Sequence, residues 1–488
     1  MVAFNEIPYD WLKPGVLVEV RPNYDRMGAV PYPARALLIV QSLAGGAGVA
    51  KTLYRITRPD QGRALFGAGS VGADMVEAFK KANKTSDVYA IALADAAAAV
   101  AATGTFTFAG TATSSGVAAL YIGSVRIAIP IIVGTTAAQA ATAAVAAINA
   151  IATLPVTAAA AAGVVTLTAK HKGEVGNGIG LAFARRDGDS VIAGLAVTVA
   201  AMAAGATNPN LQDVLDVIAA EWFTDIALPW DDATTLGLLA AELATRYQAM
   251  GKRDAQAYLG HRGTFGGLTT KGALTNSPFI SAIGAKNSPA APWVWAATLA
   301  GVATFQLAND PARQLRTLPL PDIEAPPTAD RFTDTEQNLL LGGGISTFTS
   351  LADGTVTIDR IVTTYKTSPL GVPDRAWLDI MVPKTASRVR YDWSSYVALM
   401  YPRHKLADDD SPAAAERDAV VTPGRMHGSW ATRCKLYERW GWIEGASDTV
   451  AQSTFARDDS DRNRLNASQQ IIIIGNLMVL AAALEFQV

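Results

Sequence analysis

Between Asp95 and Lys170 the chain carries one charged side chain, Arg126, amid alanine, threonine, glycine and valine. Charge returns on both sides of this run, together with a different pattern. A run so poor in charge is either a low-complexity linker or a small domain set on a crowded outer or contact surface. Its regular alternation disfavours the linker. Strands are expected at 104–108, 118–122, 124–129, 156 and 164–169, with an alanine-rich helix over 136–151. The segment 96–206 is therefore expected to be an inserted β-rich domain, which forces whatever surrounds it to be built from discontinuous pieces.

The flanks alternate strand and helix, the mark of an α/β layer fold. Before the insertion, 35–41 reads as a buried strand, the Gly45, Gly46 and Gly48 cluster as a loop, and 60–72 as turn-like. Met75, Val76, Phe79 and Ala82 share one face of a helix over 74–83, and 88–93 is the next strand. After it, 211–222 reads as a helix and 223–228 as a strand. Asp232 or Thr234 caps a helix to Met250, 255–259 is a strand, and 278–285 is placed on a helix. The proline-rich 310–327 reads as an extended surface crossing. Thr333 to Glu336 forms a capping box, 356–360 and 377–382 read as strands, and 408–410 is a charged loop. Residues 417–440 mix helix and loop.

Both ends carry a strand pattern. In Val16-Leu17-Val18-Glu19-Val20 the valines share one face, with Leu17 and Glu19 on the other, and Pro22 stops the run. At the other end Leu480, Ala482, Leu484, Phe486 and Val488 share a face, with Glu485 and Gln487 opposite. Such terminal strands pair either with their own body or with a neighbouring molecule, by adding a strand to its sheet.

Bulk properties narrow the function. Net charge is −2, so no global field draws the chain to nucleic acid or anionic lipid, and charged residues are only 17% of the 488. One cysteine, Cys434, allows no disulfide within the chain. The first residues lack a basic region followed by an apolar one, and 471–484 is too short for a membrane span.

No catalytic constellation assembles. Gly67-Ala-Gly-Ser-Val-Gly72 matches a dinucleotide fingerprint, but no strand precedes it and Asp87 precedes a strand that a ribose-binding acid should follow. Asp459-Ser-Asp-Arg-Asn463 starts like an EF-hand loop, yet Arg464 replaces the turn glycine and Gln470 the closing glutamate. His171, His261, His404 and His427 have no zinc spacing, and Cys434 between Arg433 and Lys435 lacks a partner signature. No catalytic residue, metal or cofactor is expected, and a structural role is favoured. The competing readings are a nucleotide-dependent α/β oxidoreductase built on Gly67–Gly72, and another tail or surface protein, such as an adhesin, using 96–206 to bind.

Several stretches in collinear order resemble the contractile phage tail sheath proteins of Mu-like phages. They include Phe4-Asn-Glu-Ile-Pro8, Pro14 to Glu19, Leu65 to Ser70, His171 to Asn177, Gly343-Gly-Ile-Ser346, Asp353 to Arg360, Thr363-Thr-Tyr365 and Asp374 to Ile380. Val421-Thr-Pro-Gly424, Arg462 to Asn466 and Asn476 to Phe486 complete the series, while Ser468 to Gly475 departs from it. The resemblance implies a mixed α/β, multi-domain subunit. Its expected parts are an N-terminal arm at 1–25, core at 26–95 and 207–330, the insertion at 96–206, a C-terminal core at 331–475 and an arm strand at 476–488. It further implies sixfold rings stacked helically around a tail tube protein, contacts to baseplate and tail terminator proteins, and contraction for genome ejection. Nucleic-acid binding and membrane insertion are not expected, and the place implied is the virion tail, assembled in the host cytoplasm.

Overall fold

A computed structural model describes residues 12–19, 28–417 and 419–486. The chain divides into two compact units, Pro33–Arg388 with Gly475–Val488, and Met1–Tyr32 with Val389–Ile474.

In the larger unit β1 (Arg35–Gln41) is buried along almost its whole length, as a central parallel strand must be. β2 (Leu53–Ile56), α1 (Gln61–Phe66), α2 (Val71–Ala82) and β3 (Asp87–Leu93) follow. β3 lies parallel to β1, from Arg35 opposite Asp87 to Gln41 opposite Leu93, and β2 runs antiparallel beyond it. Ser70 starts α2 by accepting a hydrogen bond from Ala73 N, which satisfies one orphan donor.

The charge-poor segment then builds two sheets of its own. Its elements are β4 (Ala101–Gly110), β5 (Gly116–Ile122), β6 (Val125–Ile131), α3 (Ala137–Ala150), β7 (Val156–Ala161), β8 (Val164–Lys172), β9 (Leu181–Phe183) and β10 (Leu195–Ala203). β10-β4-β8-β7 and β6-β5-β9 are both antiparallel. The segment begins and ends at one place: Val100 N donates to Ala206 O (3.0 Å) and Ala206 N to Val100 O (3.2 Å). α3 begins with a full Thr136–Gln139 capping box. Its Asn149 also covers the edge of β7, donating to Ala158 O and accepting from Ala158 N, both at 2.9 Å. A side-chain amide thus occupies a position where another strand would pair.

On the return the chain forms α4 (Gln212–Val217), β11 (Asp225–Ala227), α5 (Ala233–Tyr247), β12 (Gln256–Arg262), α6 (Phe265–Gly272), β13 (Ile280–Ala285) and α7 (Pro292–Asn309). β14 (Pro319–Glu324), α8 (Asp334–Gly342), β15 (Ile345–Ser350), β16 (Thr355–Arg360) and α9 (Met381–Met400) complete it. One nine-stranded sheet results, in the order β14-β16-β15-β13-β12-β11-β1-β3-β2. From β3 to β15 neighbours are parallel, and antiparallel strands close both sides. α7 crosses this sheet beside α2, so closely that a Cβ on Gly301 would lie 2.8 Å from the Ala82 Cβ.

Several expectations need correction. Residues 278–285 hold β13, not a helix, and every residue of that strand is buried. A strand covered on both faces shows no alternation, so its apolar run imitates a buried helix. Residues 377–382 form no strand: a single bridge joins Asp379 to Val362, and α9 starts at Met381. The crossing at 310–327 contains β14, which adds an edge strand to the sheet. Pro319 and Pro321 on it remove two ladder donors, as suits an edge. The helix expected over 211–222 is confined to α4.

The smaller unit packs α11 (Pro423–Arg439) with the C-terminal part of α9, plus α10 (Pro412–Glu416) and α12 (Ala446–Gln452). Its strands form three two-stranded ladders: β17 (Lys405–Leu406) with β18 (Val420–Val421), β19 (Ile443–Glu444) with β22 (Ile472–Ile473), and β20 (Thr454–Arg457) with β21 (Leu465–Ser468). At its centre Asp392 is fully buried and bonded to the Arg433 guanidinium and to Tyr437 OH (2.7 Å). A buried carboxylate is tolerated only when paired and hydrogen-bonded in this way.

Candidate assembly site

Among the described residues, those expected to form the arms lie outside helices and strands and are largely exposed. Val16 to Glu19 join no strand among the described residues, and Val16 is 91% exposed; Val20 lies outside the described residues. Leu480, Ala482, Leu484 and Phe486 are likewise exposed, Leu484 to 96%, and Val488 lies outside the described residues.

Each arm is fixed at its root by side chains of its own unit. For the N-terminal arm, Val30 N donates to Asp392 Oδ1 (2.8 Å), Tyr391 OH to Pro31 O (3.2 Å), and the Tyr32 and Tyr391 rings meet edge to face. For the C-terminal arm, Asn476 Nδ2 donates to Ala312 O (2.9 Å), Gln314 Nε2 to Leu477 O (3.3 Å), and Met478 packs on the core. From Val479 to Phe486 the side chains are exposed. Sequence reasoning missed these anchors; the polar Asn476 inside an apolar run was the available signal.

The place where an α/β sheet of this kind would hold a ligand is filled. Ligands of open parallel sheets sit outside the carboxyl ends of the strands where the order reverses, here between β1 and β11. Gln41, at the end of β1, donates to Asp95 Oδ1 (2.6 Å) and Lys172 O (2.8 Å) and accepts from Trp230 Nε1 (3.3 Å). His171 Nδ1 meets Asp95 Oδ1 (3.1 Å), and its Nε2 accepts from Val71 N (3.1 Å) at the start of α2. Burial opposes the Asp95 charge, yet His171, Lys172 N and Gln41 together hold its carboxyl below the usual range.

The glycine fingerprint therefore has no phosphate to receive. Two donors at the α2 N-terminus are taken by His171 and Ser70. Gly69 has φ +77°, and a Cβ there would collide with Leu154 O, so the loop is small because the 154–155 turn lies on it.

Most of the other reactive groups are committed too. Cys434 is buried, and burial, reinforced by Glu438, pushes its thiol up to about 12. His427 Nε2 bonds Val450 O (3.0 Å). Burial works against the Asp231 charge, but His261 at 2.8 Å and Lys271 at 2.9 Å hold it down at about 2. No group of three or more candidate metal ligands occurs among the described residues, and no helix among them is long and apolar enough to cross a membrane.

Comparison with known proteins decides between a structural and an enzymatic reading. The chain is 30% identical to the Mu-like prophage FluMu tail sheath protein of Haemophilus influenzae over 489 positions, covering 99% of each chain. This chain belongs to the Mu-like phage tail sheath family. A family profile for the phage tail sheath protein central domain matches residues 204–364, the stretch from the end of β10 to just past β16. The sheath protein is similar in fold to the sheath tail protein of Listeria innocua, with TM-score 0.50, 11% identity, and 92% and 94% of the two chains covered. It is equally similar to the contracted helical sheath of the anti-feeding prophage, with TM-score 0.50, 12% identity, and 97% and 98% covered. The sheath protein is thus a structural component of the tail of a phage or phage-like particle, not an enzyme.

Proposed function

We propose that this sheath protein polymerises as stacked hexameric rings around a tail tube protein, between a baseplate and a tail terminator. The polymer then contracts by rigid-body repacking and drives the tube through the host envelope. The uncovered terminal arms carry this reading. In it, Val16–Val20 and Leu480–Val488 each add a strand to a sheet of a neighbouring copy. The two-stranded ladders of the smaller unit are suited to receive them, because a two-stranded sheet is marginal by itself and a third strand stabilises it.

Magnitudes favour many weak couplings over one strong bond. About five backbone hydrogen bonds at roughly 0.5–1.5 kcal/mol net give a few kcal/mol per arm. Burying a side chain such as Leu484 or Phe486 adds about 1.5–3 kcal/mol. Two arms per subunit, repeated through a lattice, become very hard to separate. Residues 96–206 form the outer domain in this reading, and 1–25 and 476–488 the arms. Subunits assemble in the host cytoplasm. The anti-feeding prophage sheath, described in a contracted state, supports the same motion here.

The test is deletion of 477–488. The truncated protein is expected to stay folded by circular dichroism and to remain monomeric by light scattering and electron microscopy. Sheath-like tubes from the truncated protein would remove the arm assignment.

A further inference from the structure

Downstream of β16 the chain forms a small hairpin whose base is held with unusual thoroughness. Thr367 bridges Pro373, Ser368 N donates to Val372 O (2.9 Å) and Asp374 N to Lys366 O (2.9 Å). The Asn276 amide accepts from Lys366 N (2.7 Å) and Thr367 N (3.1 Å) and donates to Thr367 O (2.8 Å). Tyr365 OH closes on Asp374 Oδ2 at 2.6 Å. Lys366 Nζ reaches three backbone carbonyls, Gly272 O (2.6 Å), Thr275 O (2.7 Å) and Thr364 O (2.9 Å), and burial lowers its pKa. Partly burying a lysine against carbonyls alone is a demanding way to secure a loop. What it secures is an uncharged tip from Thr367 to Pro373, with Leu370 89% exposed and Val372 exposed beside it. A rigid apolar tip has already lost the conformational freedom that docking would otherwise remove.

One cavity in the larger unit matches that tip. Others, of about 500, 350 and 300 Å³, set charges such as Arg316, Arg331 and Asp359, Glu174, Arg262 and Lys271, or Arg185 and Asp330 against few aliphatic side chains, so an apolar guest would gain little there. The matching one, of about 280 Å³, is walled by Ile122, Val125, Leu154, Pro155, Trp293 and Val294. The charged groups that line it have partners: Arg63 and Lys81 pair with Glu77, Lys81 with Asp322, and the buried Asp74 accepts from Trp293 Nε1 (3.1 Å). Position adds to chemistry. The hairpin base lies before β13, where Thr364 N donates to Ile280 O, and the cavity wall resumes just after β13 ends at Ala285. Tip and cavity are thus at opposite ends of one strand. A contact between them in two copies is head-to-tail, which closes into a ring or propagates as an open array according to the rotation between copies.

We infer that the 367–373 hairpin of one subunit seats Leu370 and Val372 in the Ile122–Leu154–Trp293 cavity of a second copy, as a subunit contact separate from the arms. The inference rests on the polymer reading above, and the wild-type protein serves as its control: failure of the wild type to form tubes strikes that reading, not this contact. Leu370→Asp changes a solvated side chain, so circular dichroism and melting temperature stay at wild-type values. The protein concentration needed for tube formation is expected to rise about tenfold or more. Because Cys434 is buried, an added Leu370→Cys, Val125→Cys pair reports the contact directly by disulfide-linked ladders from oxidised polymer. Wild-type polymerisation by the aspartate variant, or polymer of the cysteine pair that forms no ladder on oxidation, overturns the contact.

Discussion

At the residue scale, the side chains that looked chemically available are the ones the fold has spent on packing. Cys434 is the plainest case: its thiol, raised by burial, should resist alkylation at about pH 8 in the native protein and react fully once unfolded. Mass spectrometry of the alkylated protein with and without denaturant reads this directly. Asp74 offers a pH test. Burial raises its carboxyl from 3.8 to about 7, while the Trp293 indole donating at 3.1 Å pulls the other way. A folded-state value above the unfolded one means the native state holds the extra proton, so this contribution to stability is full below 3.8 and lost as pH rises through 7. Asp74→Asn keeps an acceptor for Trp293 and removes the titration. Urea midpoints at about pH 5 and about pH 8 should therefore differ less for the variant than for the wild type. None of this was legible in sequence. Asp74 reads as an ordinary first-turn helix acid, and His171 meets Val71 and Asp95 only because the charge-poor segment folds back on the core.

At the scale of elements, strands and helices with one wet face were legible and those with none were not. α2 shows its buried face through Met75, Val76 and Phe79, and α8 shows its start through Thr333 and Glu336, whose reciprocal bonds are present. Thr333→Ala should cost about 1 kcal/mol, measurable as a shift in unfolding midpoint. α7 gave no such signal, because Trp293, Trp295, Leu299, Val302 and Leu307 bury nearly its whole circumference. β13 failed for the same reason, in the opposite direction. The terminal patterns from Val16 and to Val488 were visible as alternation, but alternation names no partner. Asn149 was missed because an asparagine near a helix end ordinarily suggests a cap. Its role at the β7 edge predicts that Asn149→Ala speeds amide exchange at Ala158 and promotes association of the folded protein, seen by hydrogen-exchange mass spectrometry and light scattering.

At the scale of the molecule, the fall in charge after Asp95 comes shortly before β4 at Ala101, but charge returns at Lys170, well before β10 ends at Ala203. The strand order of the nine-stranded sheet was beyond reach, because pairing of β1 with β11 joins residues almost two hundred positions apart. The paired backbones of Val100 and Ala206 have a practical meaning for such a particle. They close the segment at its root, yet His171, Lys172 and the 154–155 turn also hold it to the core, so a foreign polypeptide is better inserted into one of its exposed turns, such as 132–134, than exchanged for the whole.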